Sequence, residues 1–207
     1  MMSNNLTTKF MEGLQAAQRA AQSAGRAQIY PAELLLVLMR QEGGVLSAVL
    51  TRAGVDGVRL QRELEAQLER QPRQRGGVAQ SPGIGPELDR DLTAAEQQRQ
   101  NMKDDYLSVE HFVLGVFEAD ATLSPVLENC GLSKAKYLEA LKEVRGNTRV
   151  TSDTPEDTYD ALKKYGQDLV AAARANKLDP VIGRDEGHQC PQHGVCAAGG
   201  TWAGHMQ

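Results

Sequence analysis

Near the N-terminus the apolar residues Phe10, Leu14, Ala17 and Ala21 recur at three- and four-residue steps. That period puts them on one face of an α-helix, and Gly25 follows as its stop. Pro31 stands where a first helical residue belongs and opens the strongly apolar PAELLLVLM, which Gly43-Gly44 end. A short helix from about Leu46 stops at Gly54. Asp56 then caps a fourth helix carrying Leu60, Leu64 and Leu68.

The pattern then repeats. LSAVLTRAG at 46–54 returns as LSPVLENCG at 123–131, and the same 77-residue offset aligns Glu33 with Glu110 and Leu64 with Leu141. Apolar positions and helix breakers coincide as well, which marks an internal repeat more firmly than identity alone. In the second unit Leu88 and Leu92 begin the stripe, and Ser108 caps VEHFVLGVF. Pro125 sits near the start of the short third helix, Gly131 ends it, and Ser133 caps a last helix with Tyr137, Leu141 and Val144. Between the units QPRQRGGVAQSPGIGP, 71–86, reads as a linker, and strand signals are absent. The expectation is all-α: one domain over 1–146, made of two pseudo-symmetric four-helix halves, about 1–70 and 86–146. A half this small would expose an apolar face alone, so the halves should pack on each other. Residues 147–157 have the composition of an exposed, flexible connector. Beyond it Tyr159, Leu162, Tyr165, Leu169 and Ala173 share one helical face that has no partner in its own segment.

Composition sharpens the picture by exclusion. Apolar residues make up 41% and aromatics only 4% of 207 residues, which favours aliphatic helical packing over an aromatic sandwich. The 23 basic and 27 acidic side chains are spread along the chain, and a net charge of -4 offers no footprint for nucleic acid. No apolar run approaches the roughly 20 residues of a membrane span. MMSNNLTTKF lacks the apolar core of a secretory signal. Three cysteines are too few for a disulfide framework. A reduced, cytoplasmic protein is expected.

Four residues invite a metal: His188, Cys190, His193 and Cys196 are enough in number for tetrahedral zinc. Structural zinc sites, however, pair two short ligand couples across a longer loop, and here all four are crowded together. Composition also changes at Gly187, so the quartet reads as a decoy in a divergent, disordered tail, 187–207, of the kind a truncated or frameshifted reading frame produces. Hydrolase chemistry finds little support. No Ser or Cys stands in a nucleophile motif, and His111 beside Glu110 has no evident third partner. Cys130 reads as a small core residue. A phosphate loop needs G-x-x-x-x-G-K-[ST], and no Gly-Lys pair occurs in the chain. Gly83-Ile84-Gly85 fails as a dinucleotide motif because Leu88 holds the third glycine's place. The chain is expected to be no enzyme and to need no cofactor of its own.

TKFMEGLQAAQRAA, 8–21, resembles the opening of a Clp N-terminal repeat domain. GNTRVTSDTPEDTYDALKKYGQDLV, followed by KLDPVIGRDE, is similar to the junction between that domain and the first ATPase module of ClpB-type disaggregases in the Clp ATPase family. The resemblance runs over about 1–186, making 158–186 the incomplete start of that AAA+ module. It implies binding of unfolded or aggregated polypeptide by this region, with ATP and Mg serving the full-length family. It also implies an Hsp70-type partner system and a hexamer for full-length proteins, with a piece lacking the motor expected to be monomeric. Carried over residue by residue, Thr7, Asp104 and Glu110 take the substrate-binding role, and Val181 and Ile182 remain as part of an adenine pocket. His111 and Gln98 stand where relatives carry aliphatic groove residues. Plainer roles are open too: Thr7 as a helix N-cap, and Glu110 as a first-turn acid favoured by the helix dipole. The alternative function is docking a folded adaptor, as in ClpA- or ClpC-type unfoldases.

Overall fold

A computed structural model of the chain describes residues 5–73, 81–146 and 149–155. Eight helices run through them in chain order. The first four are α1 (Thr8–Ser23), α2 (Pro31–Arg40), α3 (Val45–Arg52) and α4 (Gly57–Glu69). The second four are α5 (Pro86–Met102), α6 (Val109–Ala119), α7 (Leu123–Asn129) and α8 (Lys134–Arg145). Local chemistry sets most of their ends. Pro31 and Pro86 open α2 and α5, where their missing N–H costs no hydrogen bond. The Asp56 carboxylate accepts from the Val58 and Arg59 amides, and Ser133 accepts from Lys136 N.

The halves obey the repeat in their buried charges as well as in their helices. At the start of α2, Glu33 is buried against Arg26 at 2.9 Å, and Arg26 also donates to the Leu68 carbonyl at the end of α4. At the start of α6, its counterpart Glu110 is buried with Arg145 from the end of α8 at 3.8 Å. Each half therefore closes its first core helix onto its last with an arginine–glutamate pair. The halves meet through α2 on α5 and α6, α3 on α6 and α8, and α4 on α7. Phe10 and Phe112 meet between them as a tilted pair, with ring centroids 5.8 Å apart.

Two features depart from the sequence reading. Part of the expected 71–86 linker is ordered structure: β2 (Gly83–Ile84) pairs in parallel with β1 (Gln28–Ile29). Its pseudo-symmetric mate is the parallel bridge between Leu6 and Leu107. Strands this short leave no periodic signal, and their partners lie more than 50 residues away. Nor is 149–153 a free connector. Val150 is buried, its carbonyl accepts from Asp105 N at 3.0 Å, and the Asp153 carbonyl accepts from Thr8 N at 2.8 Å. The strap lies against the folded domain. Among the described residues no single helix is long and apolar enough to cross a membrane.

Candidate functional site

α1 and α5 flank a groove of about 430 Å³. One end is closed where Thr7 N donates to Leu107 O at 3.0 Å and Leu107 N to Asn5 O at 2.8 Å. Near the other end Gln18 Nε2 reaches Ser81 Oγ at 2.9 Å and Pro82 O at 3.1 Å. Since Leu107 follows α5 and Pro82 precedes it, the two helices run antiparallel across the opening.

The lining is two-sided. Leu6, Phe10 and Leu14 come from α1 and the residues before it, with Leu92 and Leu107 beneath. From α5 come Asp89, Thr93, Glu96, Gln97 and Gln100, a stripe at three- and four-residue spacing. Glu96 is fixed by a fork of hydrogen bonds from Arg99, 2.9 Å to one oxygen and 2.5 Å to the other. The bonds from Arg99 hold its carboxyl below the usual range. The same guanidinium donates to Asp104 O at 2.6 Å, which ties the polar wall to the loop after α5.

Asp104 anchors a buried polar row behind this loop. Its Oδ2 faces His111 Nε2 at 2.9 Å, while Oδ1 accepts from Arg145 Nη2 at 2.6 Å and Val150 N at 3.0 Å. Burial opposes its charge, but the bonds from His111, Arg145 and Val150 outweigh it and hold the carboxyl at about 2. The Ser108 amide donates to His111 Nδ1 at 3.0 Å, which leaves Nε2 as the nitrogen that donates to Asp104. Ser108 and His111 thus form a capping box at the start of α6, with histidine in the place usually held by Glu or Gln.

Several sequence expectations are corrected here. Asp104 and Glu110 do not stand beside the groove: both are buried within the domain, where Asp104 is fully engaged and Glu110 faces Arg145. Thr7 is likewise buried, and it takes the plainer role the sequence left open, the N-cap of α1, accepting from Phe10 N at 3.4 Å. His111 is no groove residue, because its ring is spent on the cap and on Asp104. Gln98 is absent from the lining, which uses its neighbours Gln97 and Gln100. His111 does have a third partner, since Ser108 Oγ lies 2.8 Å from Nδ1 and completes a Ser–His–Asp row. Ser108 is fully buried and lines none of the described cavities. The row is a cap. Val181, Ile182, His188, Cys190, His193 and Cys196 lie outside the described residues.

The groove residues escaped the sequence reading because each looked ordinary. Phe10 and Leu14 fit a core stripe, and Thr93, Gln97 and Gln100 fit the solvated face of a helix. The one available signal was that α5 carries few apolar residues for a helix of 17 residues.

The chain is similar to the chaperone protein ClpB of Mycobacterium tuberculosis, 41% identical over 185 residues, which are 89% of this chain and 22% of that protein. It is similar also to ClpB of Bacillus cereus, 36% identical over 184 residues, or 88% of this chain and 21% of that protein. The chain thus spans about a fifth of the length of these curated relatives. Among solved structures it resembles the Hsp104 N-terminal domain from Candida albicans with a TM-score of 0.65 and 20% identity, covering 74% of this chain and 99% of that one. The N-terminal domain of the ClpV1 ATPase from Escherichia coli superposes with a TM-score of 0.57 at 19% identity, covering 72% and 90%. These likenesses show the fold. With residues 5–130 also matching the Clp repeat (R) N-terminal domain, the chain belongs to that family.

Proposed function

We propose that this domain is the substrate-binding N-terminal region of a ClpB-type, ATP-dependent disaggregase, and that the α1–α5 groove takes extended segments of unfolded or aggregated polypeptide. The observation that carries the reading is the groove itself: an open channel with an apolar floor and a preorganised polar wall, in a domain whose other described cavities are smaller. Relatives named ClpB at 36–41% identity favour this over adaptor docking of the ClpA or ClpC kind. In this reading Thr7, Asp104 and Glu110 serve the site from behind. Thr7 sets the start of α1 beside Leu6, and Asp104 anchors the loop that bears Leu107 through His111, Arg145 and Val150, with Glu110 facing the same Arg145. ATP and Mg act in the ATPase modules of the full-length protein, for which 158–186 is the lead-in, with a hexamer and an Hsp70-type system as partners there.

The test is capture of a chemically denatured test protein, followed by fluorescence anisotropy. Leu6→Ala with Leu14→Ala should weaken binding about tenfold, a loss of about 1.4 kcal/mol. Thr7→Ala, Asp104→Ala and Glu110→Ala should each weaken it by disturbing the end of the groove, and unchanged binding would remove them from the site. Retention of one folded protein, with no binding of denatured chains, would favour the adaptor reading instead.

A further inference from the structure

The two walls of the groove differ in chemistry, and each comes from a single stretch of chain. Leu6, Phe10 and Leu14 face it from the α1 side, whereas Asp89, Thr93, Gln97 and Gln100 face it from α5. The four α5 residues are all exposed, and no described group pairs with the Asp89 carboxylate or the Gln97 amide. From Asp89 to Gln100 the α5 wall is about 16 Å long at 1.5 Å per residue. An extended peptide covers that length in about five residues, and its successive side chains point to opposite sides. A peptide lying along the groove therefore sends every second side chain to the apolar wall and the ones between to amides, a hydroxyl and a carboxylate.

We infer that the groove selects extended segments in which aliphatic residues alternate with basic or amide residues, rather than segments of high overall hydrophobicity. The inference rests on the peptide-binding reading above and names the class of peptide. An unbroken aliphatic run places half of its side chains against the α5 wall, where the Asp89 carboxylate and the Gln97 amide lose water and gain no partner. Basic residues at the alternate positions meet Asp89, which is the wall's uncompensated charge, since Glu96 is already held by Arg99. Alternation of this kind is the signature of a half-buried strand that has come loose from its sheet. The groove is built to recognise exposed sheet strands of unfolding proteins.

Two nine-residue peptides of one composition test this on the full chain: capped Val-Lys-Val-Gln-Val-Lys-Val-Gln-Val, and an isomer with the five valines together. The alternating peptide should bind about tenfold more tightly by anisotropy, equivalent to about 1.4 kcal/mol. Gln97→Leu with Gln100→Leu, both at exposed positions, should erase or reverse that preference while leaving the thermal midpoint in place. Equal binding of the two peptides, or a preference that survives the double substitution, would overturn the inference and leave peptide binding standing. If neither peptide binds at millimolar concentration, the functional reading falls and takes the inference with it.

Discussion

Asp91 and Asp104 are 1% and 3% exposed, yet their surroundings push their acidities in opposite directions. Burial raises Asp91 to about 8, and the charges of Asp120 and Glu87 add to the rise beyond what Arg90 offsets. Asp104 sits at about 2. Because Asp91 holds its proton more tightly in the fold than in the unfolded chain, its effect on stability is most favourable below pH 4. Stability then falls as pH rises from about 4 to about 8. Asp91→Asn should abolish that fall, raising stability by roughly 2 kcal/mol at pH 9 and little at pH 4. Urea midpoints at the two pH values check it, and a gain that does not vary with pH would refute the protonated state. Asp104 works the other way. Its contribution is present above the ordinary aspartate range and is lost as pH drops toward 2. Asp104→Asn should cost about 3 kcal/mol at pH 7, because it takes a buried charge from Arg145. The loss should shrink in titrations carried below pH 3.

Helix packing turns on one contact that no local pattern announces. A Cβ at Gly115 in α6 would lie 2.5 Å from Asp91 O and 2.7 Å from Ala95 N, both backbone atoms of α5. Neither atom can yield without moving its helix. Gly115→Ala should therefore destabilise the domain by about 2 kcal/mol. By contrast, a Cβ at Gly57, the first residue of α4, meets nothing within 4 Å. Gly57→Ala should stabilise by about 0.5 kcal/mol. Thermal midpoints of the two variants give the comparison, and equal shifts would show that the α5–α6 approach is not tight. The same contrast explains what the sequence disclosed. Helix ends were legible because they depend on residues next to them: Pro31, Asp56 with the Val58 amide, and Gly54 and Gly131 at positive φ after α3 and α7. The Gly115 approach, the pairing of Ile29 with Ile84, and the two walls of the groove depend on residues far apart in the chain. Asp104 was legible as a residue of consequence but not as a buried anchor, because its partners His111, Arg145 and Val150 lie 7, 41 and 46 residues away.

At the scale of the molecule the two halves are interlocked. Leu6, ahead of α1, bridges to Leu107 ahead of α6, while Ile84, ahead of α5, pairs with Ile29 ahead of α2. Each half thus completes the entry strand of the other, so the domain should unfold in one cooperative step. The strap at 149–153 adds a third tie, since it bonds to Thr8 beside one bridging residue and to Asp105 near the other, and it supplies the Val150 amide to Asp104. A chain ending at residue 155 should consequently be more stable than one ending at 146. Burial of Val150 contributes about 1.5 kcal/mol and the lost hydrogen bonds about 1 more, so the difference should be roughly 2.5 kcal/mol. Hydrogen exchange then shows where the loss falls: the Thr7 and Leu107 amides of the bridge should exchange faster in the shorter chain, while those of α4 change only by the global amount. Identical midpoints for the two chains would mean that the strap rests on the domain without holding it. Identical exchange at Thr7 and Leu107 would mean that it stabilises the core while leaving the end of the groove to the bridge alone.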